Sequence, residues 1–175
     1  MKAVFFDRDD TIIYNVPHNG DPSKVRLMPD ARECLEKLQQ AGFELFIVSN
    51  QSAVGRGWIT KEQVDAVNAE MLQQLGKPFF KKIYLCYSAP EDPYAERRKP
   101  SPAMILEARN EFSIDLTQSF IVGDRLADVE CGLNAGCRSV LIALEENDET
   151  QEARKRAHFT AKTLAEATDW ILGQG

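Results

Sequence analysis

Two carboxylates, Asp7 and Asp9, stand two positions apart at the end of an apolar run, Ala3 to Phe6, and Asp10 and Thr11 follow them. In an extended segment such residues send their side chains to the same side. Close carboxylates repel, and burial makes each charge costlier. A hard divalent cation held through oxygens relieves that cost. Mg²⁺ fits, because it takes few protein carboxylates and keeps water and substrate phosphate. A metal beside a free carboxylate makes attack on phosphorus feasible by cancelling charge between two anions. Asp7 can then act as nucleophile and form an aspartyl-phosphate. Asp9 would protonate the leaving oxygen and later take a proton from water.

Three other clusters offer what such chemistry lacks. Ser49-Asn50-Gln51 brings a hydroxyl and two amides, Arg97-Arg98-Lys99-Pro100 brings cations, and Gly123-Asp124-Arg125 brings a third acid, with Asp128 beyond it. Asp7 and Asp124 are the natural side-chain metal ligands. Lys99 and the Ser49 hydroxyl suit the equatorial oxygens of a transferring phosphoryl group. Each cluster alone has a plainer explanation. Asp and Thr favour turns and helix caps, Ser-Asn is an ordinary strand exit, and an Arg run is usually a solvated patch. Asp128 reads as an orienting or capping residue. His18 and His158 are the only histidines, too few for a histidine-rich two-metal phosphatase or a His-dependent hydrolase.

The clusters matter because of the elements that must carry them. Ala3–Phe6, Phe43–Val48, Ile83–Tyr87, Phe120–Val122 and Val140–Leu144 are short apolar runs suited to buried parallel strands. Helical patterns alternate with them. One runs from Ala31 to Ala41, and another opens on the capping box Thr60 to Gln63 and stops at Gly76. A third follows the N-cap and N1 proline Ser101-Pro102; the others are Leu126 to Gly136 and Thr163 to Leu172. Such alternation predicts an α/β fold with a doubly wound, Rossmann-like parallel sheet. Ligands of that fold bind beyond the carboxyl ends of the strands, where all four clusters fall. Tyr14–Asp30 and Ser88–Lys99 read as long loops, and Glu145–Arg156 as a solvated face.

Composition bounds the partners. The 175 residues carry 21 Lys plus Arg against 27 Asp plus Glu, a formal charge of −6, with 43% hydrophobic residues. That is globular composition, and one domain over 1–175 is expected. The acidic balance argues against nucleic acid, whose phosphates need a basic face, but not against a small phosphorylated substrate. No stretch approaches the roughly 20 apolar residues of a membrane span, and the start lacks a signal-peptide pattern. Cys34, Cys86, Cys131 and Cys137 form no C-x-x-C pair and read as reduced, buried thiols. A monomeric cytoplasmic protein that meets no membrane is the expectation.

Phe6-Asp7-Arg8-Asp9-Asp10-Thr11, Val48-Ser49-Asn50-Gln51, Lys99-Pro100 and Val122-Gly123-Asp124-Arg125-Leu126-Ala127-Asp128 together resemble the ordered motifs of the haloacid dehalogenase (HAD) superfamily of aspartate-nucleophile phosphatases. Ser49 to Gly57 and Arg98 to Pro102 narrow the resemblance to the D-glycero-D-manno-heptose 1,7-bisphosphate phosphatase and histidinol-phosphatase branch. The resemblance implies a HAD-like fold without a large cap domain. It makes Asp7 nucleophile and Mg²⁺ ligand, Asp9 the acid/base with a backbone carbonyl on the metal, and Asp124 a further ligand. Ser49 and Lys99 would stabilise the phosphoryl group. Asn50, Gln51, Ser52, Arg98 and Arg125 fall where that branch contacts substrate, joined by His18 from the first long loop. Two departures stand out. The branch's zinc loop is not matched, since Ser88 replaces a histidine and Ala95-Glu96-Arg97 holds no cysteine, so no zinc is expected. Asp10 stands where the branch has glycine. The implied activity is Mg²⁺-dependent hydrolysis of heptose 1,7-bisphosphate, with histidinol phosphate as the alternative substrate. A phospho-aspartate signalling module and a nucleic-acid end-processing phosphatase are the competing functions. The roles of Asp10, Arg56 and Arg97 stay open.

Overall fold

The computed structural model of the protein describes residues 1–174. Six parallel strands form one sheet: β1 (Lys2–Phe6), β2 (Phe43–Asn50), β3 (Phe80–Cys86), β4 (Phe120–Gly123), β5 (Arg138–Ile142) and β6 (Phe159–Ala161), in the order β3-β2-β1-β4-β5-β6. The helices between them are α1 (Ala31–Gln40), α2 (Ser52–Gly55), α3 (Lys61–Leu75), α4 (Ala103–Phe112), α5 (Leu126–Ala135), α6 (Asp148–Arg156) and α7 (Leu164–Leu172). This is the doubly wound α/β fold that the alternation implies.

The residues explain the layers. β1 alternates sides: Val4 and Phe6 pack with Leu45, Ile47, Leu35, Leu38, Met71 and Ile171, while Ala3 and Phe5 pack with Phe46, Val48, Met104, Ile105 and Cys131. A strand buried on both faces needs apolar residues at every position. β1 lies between β2 and β4, with Phe6 opposite Ile47 on one side and Val122 on the other. The chain winds outward through β2 and β3, then returns to β4 on the other side of β1. The switch point is therefore between β1 and β4, where an open α/β sheet leaves its ligand crevice.

Local signals set several element ends. Thr60 Oγ1 accepts the Gln63 N–H at 3.1 Å and Gln63 Oε1 accepts the Thr60 N–H at 2.9 Å, the capping box read from the sequence. Several boundaries differ from expectation, β5 among them, which runs over Arg138–Ile142 and not Val140–Leu144, and β2, which continues to Asn50. β3 starts at Phe80, three residues early, because Lys81 and Lys82 interrupt the apolar run; lysines are tolerated on this edge strand. Pro102 is the N-cap of α4 rather than its first residue. The stretch read as a solvated face contains α6, which buries Thr150 and Ala153 and precedes the three-residue edge strand β6. Residues 7–30 and 87–102 carry no helix beyond the short 3-10 turn Pro22–Lys24 and no cap domain. Among the described residues, no helix is long and apolar enough to cross a membrane.

Gly132 lets α5 seat directly on the sheet. A Cβ there would overlap Ile121 Cγ2 and Ser139 Oγ. Since α5 carries Asp128, its seating also fixes the site. Gly132→Ala is expected to lower unfolding stability by about 1–3 kcal/mol, the usual cost of overpacking, in a urea melt; an unchanged midpoint would contradict the close approach.

Candidate active site

β1 and β4 deliver Asp7 and Asp124 side by side. The Asp7 N–H continues the ladder by donating to Val122 O at 2.9 Å, and Asp124 follows Gly123, the last residue of β4. The first turn of α5 brings back Asp128, whose Oδ2 accepts the Arg125 N–H at 3.1 Å. Gly123 makes room for it, since a Cβ at that position would overlap the Asp128 carboxylate. One carboxylate oxygen from each of Asp7, Asp124 and Asp128 lies within 4.8 Å of the other two.

Lys99 sits between two of these acids, Asp7 and Asp128. Its Nζ donates to Asp7 Oδ1 at 2.9 Å, Asp128 Oδ1 at 2.5 Å and Val48 O at 2.9 Å. The side chain is 3% exposed. Burial alone would push its pKa down, but Asp128 and Asp7 outweigh burial and raise it, so the ammonium is retained. All three donors of that ammonium are engaged. Lys99 therefore places a fixed positive charge among the acids, with its three donors already taken by Asp7, Asp128 and Val48.

One ammonium does not balance three acids. Asp124 Oδ1 is buried with no hydrogen-bond partner. Burial, then the charges of Asp7, Asp128 and Asp10, push the Asp124 pKa up to about 9. Asp128 rises to about 6 through burial, opposed chiefly by Lys99. An orphaned carboxylate oxygen between acidic neighbours, with only oxygen donors at hand, fits a hard divalent cation such as Mg²⁺.

Asp9 belongs to a second network. Arg8, 3% exposed, donates from Nη2 to both Asp9 oxygens at 3.1 Å and to Gln51 Oε1 at 3.0 Å. Its Nη1 reaches Asn68 Oδ1 on α3 at 2.9 Å. Gln51 Nε2 donates to Asp9 Oδ2 and to Ser49 Oγ, both at 2.9 Å. Burial raises the Asp9 pKa, opposed by Arg8 and helped by Asp7. Ser49 is 0% exposed and absent from the cavity lining. The Ser49 hydroxyl, expected to face the phosphoryl group, is thus turned into the Gln51–Asp9 network just behind the cavity wall.

A cavity of about 550 Å³ opens beside these groups, lined by Asp7, Asp9, Lys99 and Asp124 among others. Asn50, Gln51, Ser52, Arg98, Arg125 and His18 line it too, as the expected substrate contacts should. Two of them face inward. The Gln51 amide is engaged as described, and Asn50 pairs with the Lys99 backbone, accepting its N–H at 3.0 Å and donating to its C=O at 3.2 Å. Asp10 lines the cavity and accepts the Asn15 N–H at 2.9 Å. Arg97 instead pairs with Glu107 at 3.1 Å on the surface. Sequence reasoning left Arg8 and Asn68 without roles; buried polar partners sixty residues apart leave no local signal.

Comparison with known proteins supports the same reading. A HAD-hydrolase-like family model matches residues 96–167. The chain is 32% identical to D-glycero-D-manno-heptose-1,7-bisphosphate 7-phosphatase of Chlorobaculum tepidum, over 99% of this chain and 96% of that one. It is 36% identical to D-glycero-beta-D-manno-heptose-1,7-bisphosphate 7-phosphatase of Rhodopseudomonas palustris, over 77% and 79%. The D,D-heptose 1,7-bisphosphate phosphatase of B. bronchiseptica, solved with magnesium and phosphate, shares the fold at a TM-score of 0.85 and 24% identity, over 100% of both chains. Fold, sequence and site thus define a HAD-superfamily phosphatase, a phosphoric monoester hydrolase. Within that superfamily the chain belongs to the heptose-1,7-bisphosphate 7-phosphatase family.

Clustered acids should cost stability until a cation arrives. In EDTA, Asp124→Asn is expected to be more stable than wild type by about 1–3 kcal/mol near neutral pH. The gain grows between about pH 5 and about pH 8, because the folded wild type holds a proton that the unfolded chain releases far lower. Mg²⁺ should raise the melting temperature of wild type but not of the variant. A destabilised Asp124→Asn that still responds to Mg²⁺ would contradict the cluster.

Proposed function

We propose that the protein hydrolyses the 7-phosphate of D-glycero-D-manno-heptose 1,7-bisphosphate, giving heptose 1-phosphate and phosphate through an aspartyl-phosphate on Asp7. The observation that carries the reading is the meeting of Asp7, Asp9, Lys99 and Asp124 in one cavity at the β1/β4 switch point. The family's named substrate supplies the sugar.

The chain's own groups fit the steps. Lys99 holds Asp7 Oδ1, leaving Oδ2 to attack phosphorus as the bond to the sugar oxygen breaks. Asp9, fixed by Arg8 and Gln51, gives its proton to that departing oxygen. Its raised pKa suits a group that must hold a proton and then lose it. In the second step Asp9 takes a proton from water as the water oxygen bonds to phosphorus and the Asp7 carboxylate leaves. Asp7 and Asp124, with the Asp9 backbone carbonyl, would hold Mg²⁺, which when bound neutralises charge between carboxylate and phosphate. Lys99 adds a fixed positive charge, and Asn50 fixes the backbone that carries it. Arg98, Arg125, Ser52 and His18 remain on the cavity wall to meet the rest of the substrate.

The whole chain, 1–175, works on this reading as one domain, a monomer in the cytoplasm, without nucleic-acid or membrane partners. No zinc is needed. Along the sequence only Cys86 adjoins the 87–102 loop, which itself holds neither cysteine nor histidine. Arg98 Nη1 to Ser88 O at 3.2 Å and Arg56 to Glu91 at 2.9 Å tie that loop instead.

Phosphate release from heptose bisphosphates, histidinol phosphate and simpler sugar phosphates, measured with Mg²⁺, tests the substrate. The heptose 7-phosphate should be preferred; a clear preference for histidinol phosphate would overturn that choice alone. Asp7→Asn should abolish turnover with the circular dichroism spectrum unchanged, and Asp9→Asn should slow it by about 10²–10⁴-fold. Wild-type rates in Asp7→Asn would exclude the covalent route.

A further inference from the structure

Residues 15–19 form one wall of the cavity, yet little of their own backbone holds them there. Asn15 is tied to Asp10, and the Asn19 N–H reaches only Val16 O, at 3.2 Å. His18, on that wall, has φ 56°, a left-handed conformation uncommon outside glycine, though histidine is among the residues that adopt it more readily. The support for its side chain comes from outside the segment. The His18 and Trp58 rings meet edge to face, with centroids 4.4 Å apart and planes at 70°.

Trp58 is itself held from two sides. Its backbone N–H donates to Ala53 O at 2.9 Å, tying the chain there to α2, whose residues Ser52 and Ala53 line the cavity. The Arg56 guanidinium lies over the indole, 5.0 Å from its centroid, and Arg56 Nη2 pairs with Glu91 at 2.9 Å. Core packing does not account for this tryptophan, which is 55% exposed. The contacts Glu91–Arg56–Trp58–His18 join three loops beside the cavity, and they end on a lining residue.

Building on the phosphatase reading, we propose that Trp58 is a positioning residue that sets which phosphomonoesters the cavity prefers, by holding His18 and its wall against the leaving group. Trp58 does not line the cavity, so its effect passes through His18. The wall faces the part of the substrate beyond the phosphorus. A displaced wall should therefore weaken selection for a polyhydroxy sugar while leaving the attack by Asp7 intact. Arg56, whose role the sequence left open, becomes the link that steadies the indole.

Steady-state kinetics of Trp58→Ala on the best sugar phosphate and on p-nitrophenyl phosphate test this. For the sugar phosphate KM should rise about tenfold with kcat within about twofold; for p-nitrophenyl phosphate kcat/KM should stay within about twofold. Trp58→Phe, which keeps an aromatic face, should restore most of the sugar preference. In a His18→Ala background Trp58→Ala should add nothing, because both act through one contact. Equal losses on both esters, or additive effects of the two substitutions, would overturn the relay while leaving the phosphatase reading standing. A wild type inactive on both esters would take down that reading and this one with it.

Discussion

Three carboxylates forced together at the seam between β1 and β4 are the constraint from which the rest of the site follows. Left alone, Asp7, Asp124 and Asp128 would repel one another in a place where burial weakens screening by water. Lys99 answers two of the three. Its ammonium is buried, fully hydrogen-bonded and anchored to Val48 O, so it fixes where Asp7 and Asp128 stand. Removing one partner from such a buried pair usually costs about 3–5 kcal/mol, because the other charge is then stranded. The third acid stays unanswered, and its orphaned oxygen is what makes the site receptive to a cation.

Much of the architecture serves to deliver Lys99 to that seam. It arrives at the end of a loop, not on a strand, and Asn50 at the end of β2 clamps both its N–H and its C=O. Asn134 on α5 donates to Pro100 O at 3.1 Å, and the Cys131 thiol donates to Ser101 O at 3.3 Å. A segment without regular structure is thus held by three side chains from two elements. The same helix, α5, supplies Asp128, and Gly123 and Gly132 let it sit close to the sheet. Sheet, helix and loop share one task, which is placing charges that do not tolerate misplacement.

The sequence disclosed the ends of the strands and what chemistry arrived there, because apolar runs and acidic exits are local signals. It gathers Asp7, Asp9, Ser49, Lys99 and Asp124 around one centre; four of them line the cavity, and Ser49 lies behind it. It could not disclose which polar side chains look inward. Ser49, Gln51 and Asn50 were read as reaching for substrate, yet each is engaged with Asp9's network or with the Lys99 backbone. Arg8 passed unnoticed because its partners, Gln51 and Asn68, lie far along the chain. Asp128 reads as orienting or capping and does both, accepting the Arg125 N–H at the start of α5 and the Lys99 ammonium. The edge of the sheet was harder still. Lysines disguise the start of β3, and β6 has only three residues to show a pattern.

What most directly tests the account is the covalent state of residue 7 during turnover. An acyl phosphate is open to borohydride, which reduces an aspartyl-phosphate to homoserine while free carboxylates are spared. Quenching the working enzyme with borohydride and mapping the peptides by mass should show homoserine at position 7 and nowhere else. Homoserine at another aspartate, or an unmodified Asp7 in enzyme caught releasing phosphate, would contradict the assignment of Asp7 as the attacking group.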